Sequence, residues 1–245
     1  MQGLILAGGL ATRLRPLTLV TNKHLLPVYN KPMIYYPMEA MQKAGVKDVL
    51  LTTGGESISQ FANLLKSGEE FGLHLFYAVQ QNPKGGIPDA MKLAEELTKQ
   101  EPLLVILGDN IFNFDLKKVI EEFEKTSEGA VIFGYRVKEN QNQYGIIEVD
   151  DNGRVLSIEE KPEHPKSDIA QTGIYLYDHH VFEYIRTLKP SARGELEVTD
   201  LNNVYLQNKS LRCYVIDWWI DAGTSHEELL KANIQAAEMV KEGKL

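Results

Sequence analysis

The stretch LILAGGLATRLRP, residues 4–16, runs an apolar segment into Gly8 and Gly9 and places Arg13 and Arg15 just beyond. Glycine lacks a Cβ, so backbone N–H groups there can approach phosphate oxygens, and a helix beginning at the turn would add its positive end. Arginine supplies directional donors to anionic oxygens. The combination points to a bound anion; the plainer reading is a tight turn with surface arginines. Two familiar phosphate loops do not fit. Nothing has the Walker A spacing to Gly-Lys-Ser/Thr, and a dinucleotide fingerprint begun at Gly9 has Ala11 as its second glycine and lacks its third.

Other candidate groups follow along the chain. Lys23 comes soon after the arginines, in TNKHLLPVYNKP with Pro27 and Pro32. LGDN sets Asp109 directly after the apolar LLVIL, where a parallel sheet presents its ligand edge; the carboxylate is a metal ligand or a helix cap. Asp221 stands in DWWIDAGT beside two tryptophans and before Gly223. Two carboxylates and polyphosphate oxygens suit Mg²⁺, which takes few ligands from protein alone. IEEKP adds Glu160 and Lys161, and SARGELEVTD adds Arg193, Glu195 and Asp200, each also readable as a surface charge pair. His24 and His74 read as structural and the other histidines as surface or loop residues, so no histidine base stands out.

The elements that must position these groups change character along the chain. Up to about residue 135, β-prone runs (GLILA, DVLLTT, LHLFYAV, LLVILGD, AVIFGYR) alternate with amphipathic segments (MIYYPMEAMQKAG, SISQFANLLKSG, DAMKLAEELTKQ, LKKVIEEFEK). Met38, Met41 and Ala44 share one helix face, and Gly45 supplies the stop. The alternation predicts an α/β fold, a mostly parallel sheet with helices on both faces. Beyond Tyr135, YGIIEVDDNGRVLSIEEKP predicts two strands joined by a turn at Asp151, Asn152 and Gly153. IAQTGIYLYD adds a strand, residues 179–185 a short helix, VTDLNNVYLQNK a helix, LRCYVI a strand and HEELLKANIQAAEMVKEG a longer helix. One compact unit over 1–245 is expected, its second half decorating the sheet. Tyr35, Met38, Met41 and Tyr177 are expected in the core or in subunit packing.

Bulk properties narrow the classes. The chain has 245 residues, 43% of them hydrophobic, enough for a full core. A formal charge of -8, from 34 acidic against 26 basic residues, argues against a nucleic-acid partner. The single cysteine, Cys213, has no internal disulfide partner and is expected as a small buried residue. No apolar run reaches the roughly 20 residues of a membrane span, and MQGLILAGG lacks a basic leader, so a soluble cytoplasmic protein is expected.

Taken in order, LAGGLATRLRPLT, NKHLLPV, KPMIYYP, GGIPDA, LGDNIF, YGIIEVD, EEKPEHPKS, TGIYLYD, ARGELEVTD and WWIDAGT resemble the sugar-1-phosphate nucleotidylyltransferases, and among them those that make dTDP-glucose. The resemblance runs from residue 2 to about residue 240. It implies the nucleotide-diphospho-sugar transferase fold, with a mainly nucleotide-binding half to about 135, an inserted β-rich, mainly sugar-phosphate-binding half at about 136–224, and a C-terminal helix at about 225–245. It implies conversion of dTTP and α-D-glucose 1-phosphate to dTDP-glucose and pyrophosphate by direct in-line displacement. Leu6, Ala7, Gly8 and Gly9 would lie under the nucleotide, Arg13 and Lys23 at its phosphates, and Gln80 and Gly86 at the base edge. Asp109 and Asp221 would bind Mg²⁺. Tyr144, Gly145, Glu160 and Tyr175 would receive the sugar, with Lys161 and Arg193 on its phosphate and the reacting phosphoryl group. A homo-oligomer, dimer or tetramer, is implied, without a membrane or nucleic-acid partner, and the product would feed a deoxysugar such as rhamnose in a polysaccharide.

Two departures stand out. Ala11 replaces the usual glycine of the loop, and the extra C-terminal helices that build an allosteric nucleotide site in bacterial members are not matched, so the resemblance leaves feedback inhibition open. UTP or another nucleotide, or another sugar phosphate, is an alternative, since one methyl separates thymine from uracil. A non-catalytic sugar-nucleotide sensor is the alternative of a different class, disfavoured because Arg13, Lys23, Asp109, Lys161 and Asp221 are all present.

Overall fold

The computed structural model describes every residue except Gln100 and Asn152. Its first part comprises β1 (Gln2–Ala7), β2 (Pro27–Val28), β3 (Lys31–Pro32), α1 (Tyr35–Lys43), β4 (Asp48–Thr53), α2 (Ile58–Leu65), β5 (His74–Val79), α3 (Ile87–Met91) and α4 (Glu95–Thr98). Next come β6 (Leu103–Leu107), β7 (Asn110–Phe112), α5 (Leu116–Phe123), β8 (Ala130–Arg136), β9 (Gly145–Val149) and β10 (Val155–Glu160). The chain continues through β11 (Ile169–Tyr177), α6 (Val181–Thr187), α7 (Val198–Gln207), β12 (Leu211–Val215), β13 (Trp219–Asp221) and α8 (His226–Lys241).

Strands β5, β4, β1 and β6 lie side by side and parallel. Beyond β6 lies β11, antiparallel to it; β8 is antiparallel to β11, and β12 parallel to β8. All these strands except β11 therefore run the same way. The antiparallel pair β9 and β10 hangs on the start of β11. This is the mainly parallel α/β sheet that the alternation predicts, with its added β-rich portion.

Burial explains the continuous apolar runs. Along β1, Ile5 and Ala7 join one core cluster while Leu4 and Leu6 join the other, so successive side chains feed opposite faces of the sheet. Each cluster takes residues from both halves of the chain, Ile5 and Trp219 in one, Leu4 and Tyr205 in the other. Met38 and Met41 on α1 are buried, as is Ala44 just past its end, and Gly45 follows with φ +81°. Met38 and Met41 are fully buried; a methionine so placed contributes about 1.5–3 kcal/mol of transfer free energy. Tyr177 is fully buried and Tyr35 packs partly buried against the core.

Several elements differ from the sequence reading. DAMKLAEELTKQ is not one helix: α3 starts earlier, with Pro88 in its first turn, and a 3-10 turn separates it from α4. Proline suits that position because the first-turn N–H has no helical partner. The turn joining β9 and β10 includes Asn152, which lies outside the described residues; Gly153 has φ +76° and its N–H donates to the Asp150 carbonyl at 2.9 Å. Past the glycine turn the chain forms a 3-10 turn at Thr12–Leu14 rather than an α-helix, so there is no α-helical dipole there. The unforeseen pair is β7 with β13, a small antiparallel sheet beyond the carboxyl end of β6. It packs with Val28, Met33 and Tyr36 against Ala232 and Ala236 of α8. Ser225 caps that helix by accepting from the Glu228 N–H at 3.1 Å. Among the described residues, no helix is long and apolar enough to cross a membrane.

Candidate active site

A cleft of about 830 Å³ opens at the carboxyl ends of the parallel strands, where such sheets collect ligands. One wall is the glycine turn. Gly9 has φ +91°, and Ala11 sits in the left-handed region at φ +45° and ψ +39°. That conformation costs an alanine roughly 1–2 kcal/mol. The Ala11 carbonyl accepts from the Thr18 hydroxyl at 2.9 Å and from the Leu14 N–H at 3.1 Å, which fixes the turn. The glycine-like geometry is therefore kept without glycine. Leu6, Gly8, Gly9 and Arg13 line the cleft; Ala7 is buried at the end of β1, and Arg15 does not line it.

At the floor Lys23 is ion-paired with Asp109. Asn22 sets up the lysine: its side chain donates to the Ala7 carbonyl at 3.2 Å and accepts from the His24 N–H at 3.0 Å. Asp109 follows β6 by way of Gly108, and Asp221 reaches it through the small sheet. Asp221 pairs in register with Asn110, and the Ala222 N–H donates to the Asp109 carbonyl at 2.9 Å. Gly223 closes the cluster. A Cβ there would lie 2.4 Å from Asp109 Oδ2 and 2.8 Å from Lys23 Nζ, so only glycine permits this approach.

The charges are interdependent. Burial opposes the charge on Lys23, but Asp109 and Asp221 outweigh it and raise the lysine's pKa. Burial likewise opposes ionisation of Asp109, yet Lys23, His24 and the hydrogen bonds from Lys23 and Asn110 hold it well below the usual carboxylate range. Asp221 moves upward, through burial first and the neighbouring Asp109 charge second. His24 is driven down to about 3 by burial and by Lys23, so it is neutral near pH 7. His74, in contrast, is an exposed residue paired with Asp48 at 2.9 Å.

Asn110 organises the centre, although the sequence reading did not single it out. It is buried; its Nδ2 donates to Asp109 at 3.1 Å, and its Oδ1 accepts from the Gly173 N–H at 2.7 Å and from Trp219 Nε1 at 2.5 Å. The signal available was an amide next to an acid at the end of a buried strand.

The remaining walls come from β5–α3 and from the second half of the chain. Gln80 Nε2 donates to the Gly86 carbonyl at 3.3 Å, and both residues line the cleft. Opposite them, Glu160, Lys161, Arg193 and Glu195 line it as well. Lys161 has φ +45°, and its N–H donates to the Tyr144 carbonyl at 3.0 Å. Tyr144, Gly145 and Tyr175 stand behind this surface. Tyr144 packs edge-on to Trp219 with ring centroids 5.8 Å apart, and burial, then Asp221, pushes its hydroxyl up to about 12. Gly145 backs Glu160, and Tyr175 is buried and stacked on Tyr177. Asp200 is exposed on α7 and does not line the cleft.

The sequence profile of the nucleotidyl transferase family matches residues 2–239. The chain belongs to this family. Its curated nucleotidyl transferase relatives include glucose-1-phosphate thymidylyltransferases of Neisseria meningitidis, 44% identical over 95% of this chain and 81% of the relative, and of Mycolicibacterium smegmatis, 42% identical over 95% and 81%. A solved structure from Bacillus anthracis, described as a candidate glucose-1-phosphate thymidylyltransferase in complex with sucrose, superposes with a TM-score of 0.90. It is 45% identical and covers 96% of this chain and 95% of its own. A UDP-glucose pyrophosphorylase solved with UDP-glucose superposes at 0.80, with 26% identity over 97% of this chain and 98% of its own.

The donor set can be tested against the divalent cation on which such chemistry relies. Among the described residues, no three His, Cys, Asp or Glu groups gather as a ready-made cage. Lys23 is ion-paired with Asp109, and among the described residues the neighbouring Asp221, whose pKa is raised by burial and by Asp109, has no ion-pair partner. A hard cation drawing its other ligands from phosphate and water fits that arrangement.

Proposed function

We propose that this chain transfers a thymidylyl group from dTTP to α-D-glucose 1-phosphate, giving dTDP-glucose and pyrophosphate. The carrying observation is that one cleft holds Arg13 and the Lys23–Asp109 pair on one side and Lys161 with Arg193 on the other. Cationic groups are thus available to two anions at once. The names of the relatives favour the thymidylyl donor and the glucose 1-phosphate acceptor.

The chemistry asks little of a base. The attacking oxygen belongs to a sugar phosphate already ionised near neutral pH, which suits a site whose nearest imidazole, His24, is buried and neutral. The obstacle is repulsion: unit charges about 4 Å apart at an effective dielectric near 20 repel by roughly 4 kcal/mol, and several such pairs arise. Arg13 and Lys23 would take the triphosphate; Lys161 and Arg193 would take the sugar phosphate and hold its oxygen in line with the α-phosphorus. Gln80 and Gly86 would receive the base edge, with Leu6, Gly8 and Gly9 beneath the nucleotide. Glu160 would accept from a sugar hydroxyl, with Tyr144, Gly145 and Tyr175 shaping the sugar pocket from behind. Asp109 and Asp221 would hold Mg²⁺, which when bound neutralises charge on the phosphate oxygens.

The test is pyrophosphate release with glucose 1-phosphate, Mg²⁺ and each of dTTP, UTP, CTP, ATP and GTP, with products identified by mass. A clear preference for dTTP, lost in Asp109→Asn, is the expected result. A lead for UTP would rename the donor and keep the site. No release with any pair would overturn the activity.

A further inference from the structure

We propose that Glu197 is a positioning residue that sets the attitude of Arg193 for a sugar phosphate, an inference that rests on the activity proposed above. A guanidinium carries five N–H donors. Arg193 Nε donates to Glu197 Oε1 at 3.2 Å, and Nη2 donates to Glu197 Oε2 at 2.7 Å and to Glu160 Oε1 at 3.2 Å. Those bonds occupy Nε and Nη2. Among the described residues Nη1 has no protein partner, which leaves that edge with donors for a ligand in the cleft Arg193 lines.

Glu197 is itself fixed. The residue is 8% exposed, and its Oε1 also accepts from the Ser191 hydroxyl at 2.6 Å. It directly precedes α7, and its neighbour Leu196 is pinned to the opposite wall. The Leu196 N–H donates to the Gly85 carbonyl at 3.1 Å, and Leu196 forms a parallel bridge with Gly86. At Gly86, with φ +82°, a Cβ would fall 2.1 Å from the Leu196 carbonyl oxygen, so the walls touch there backbone to backbone. The clamp on Arg193 thus starts one residue from the loop that Gln80 braces on the nucleotide side.

A carboxylate beside a phosphate-gripping cation is at first sight counterproductive, because its charge repels the ligand. That gives the test a sign. If Glu197 acts only through charge, neutralising it tightens phosphate binding. If it acts by orientation, neutralising it frees the guanidinium to sample other rotamers and binding weakens.

The experiment is steady-state kinetics of the full-length chain and Glu197→Gln, with melting temperatures in parallel. Expected is a rise in KM for glucose 1-phosphate of about tenfold, equivalent to about 1.4 kcal/mol, with KM for dTTP changed less than about twofold, because the charge-assisted bonds that are weakened come from Arg193 and Ser191 and from no group on the nucleotide side. An unchanged or lower KM for the sugar phosphate overturns the inference, and so does an equal rise for both substrates. Should Glu197→Gln fold poorly, Arg193→Lys, Glu197→Asp and their double variant replace it; additive effects on sugar-phosphate KM overturn the coupling, and sub-additive effects support it. A wild type that turns over a different sugar phosphate moves the same test to that substrate. A wild type that neither turns over nor calorimetrically binds any sugar phosphate removes the activity and this inference together.

Discussion

Replacing Lys23 by methionine isolates the electrostatics of the centre. The ammonium is paired with Asp109, and the two side chains are 18% and 10% exposed. Methionine keeps most of the stem and removes the ammonium paired with Asp109 and close to Asp221. Breaking a buried pair from one side costs about 3–5 kcal/mol, and partial exposure of Lys23 places the expectation near the lower figure. For a chain of this size each kcal/mol moves the melting temperature by about 2–4 °C, so a fall of roughly 6–12 °C is expected at pH 8 without divalent ions. Deprived of the lysine, Asp109 and Asp221 share their repulsion, and at least one takes up a proton more readily than an unfolded carboxyl does. The sign follows. An acid whose folded pKa is raised stabilises the fold relatively at low pH, and that contribution is lost as pH rises from the unfolded towards the folded pKa. The deficit of Lys23→Met is therefore smaller at pH 5 than at pH 8. Differential scanning calorimetry at both pH values, in EDTA, reads this directly. A melting-temperature loss below about 1 °C, or a deficit that grows on acidification, would refute the electrostatic account.

Other perturbations probe neighbouring features. Asn110→Ala leaves the Gly173 and Trp219 N–H groups without their acceptor, and urea unfolding is expected to show a loss of about 2–4 kcal/mol. Gly86→Ala meets the Leu196 carbonyl and a left-handed backbone together; kcat/KM for dTTP is expected to fall by about a hundredfold or more, near 2.7 kcal/mol. The Cys213 thiol is pushed up to about 12 by burial, so alkylation by iodoacetamide at pH 8 should be slow in the native chain and fast in guanidinium, as mass spectrometry can follow. The raised pKa also means that this group's contribution to stability declines as pH climbs from about 9 towards about 12.

The sequence displays the strands that need no partner to be recognised. β1, β4 and β6 are apolar because both their faces are buried, and the helices between them show their stripe. Asp109 and Lys23 were legible as candidates because an acid at the end of such a strand faces the ligand edge of the sheet and the lysine follows closely on the arginines of the glycine turn; both line the cleft. What stayed hidden depends on contacts between distant segments. The three-residue strands β7 and β13 are too short for any periodicity, so nothing in WWIDAGT reveals that Asp221 lies beside Asn110. Glu197 was not singled out in ARGELEVTD, yet it is buried and accepts two hydrogen bonds from Arg193 four residues before it. Tyr144 and Tyr175 show the converse: their motifs were read for the cleft, yet neither lines it, and the burial of Tyr175 is set by β11, which no local pattern reveals.

The β7–β13 pair also bears on how the protein matures. Asn110 and Trp219, joined across it, are 109 positions apart. Such a contact forms only after a long loop has closed, and loops of this kind are entropically late. The four neighbouring parallel strands β5, β4, β1 and β6 and the glycine turn are drawn from the first half of the chain, whereas the paired carboxylates come together only when β13 docks. In a partly refolded chain the glycine turn is thus expected to form before the carboxylate pair is complete. Gain of activity on refolding should lag behind gain of sheet structure, which makes the turnover competence of this enzyme a report on its last folding step.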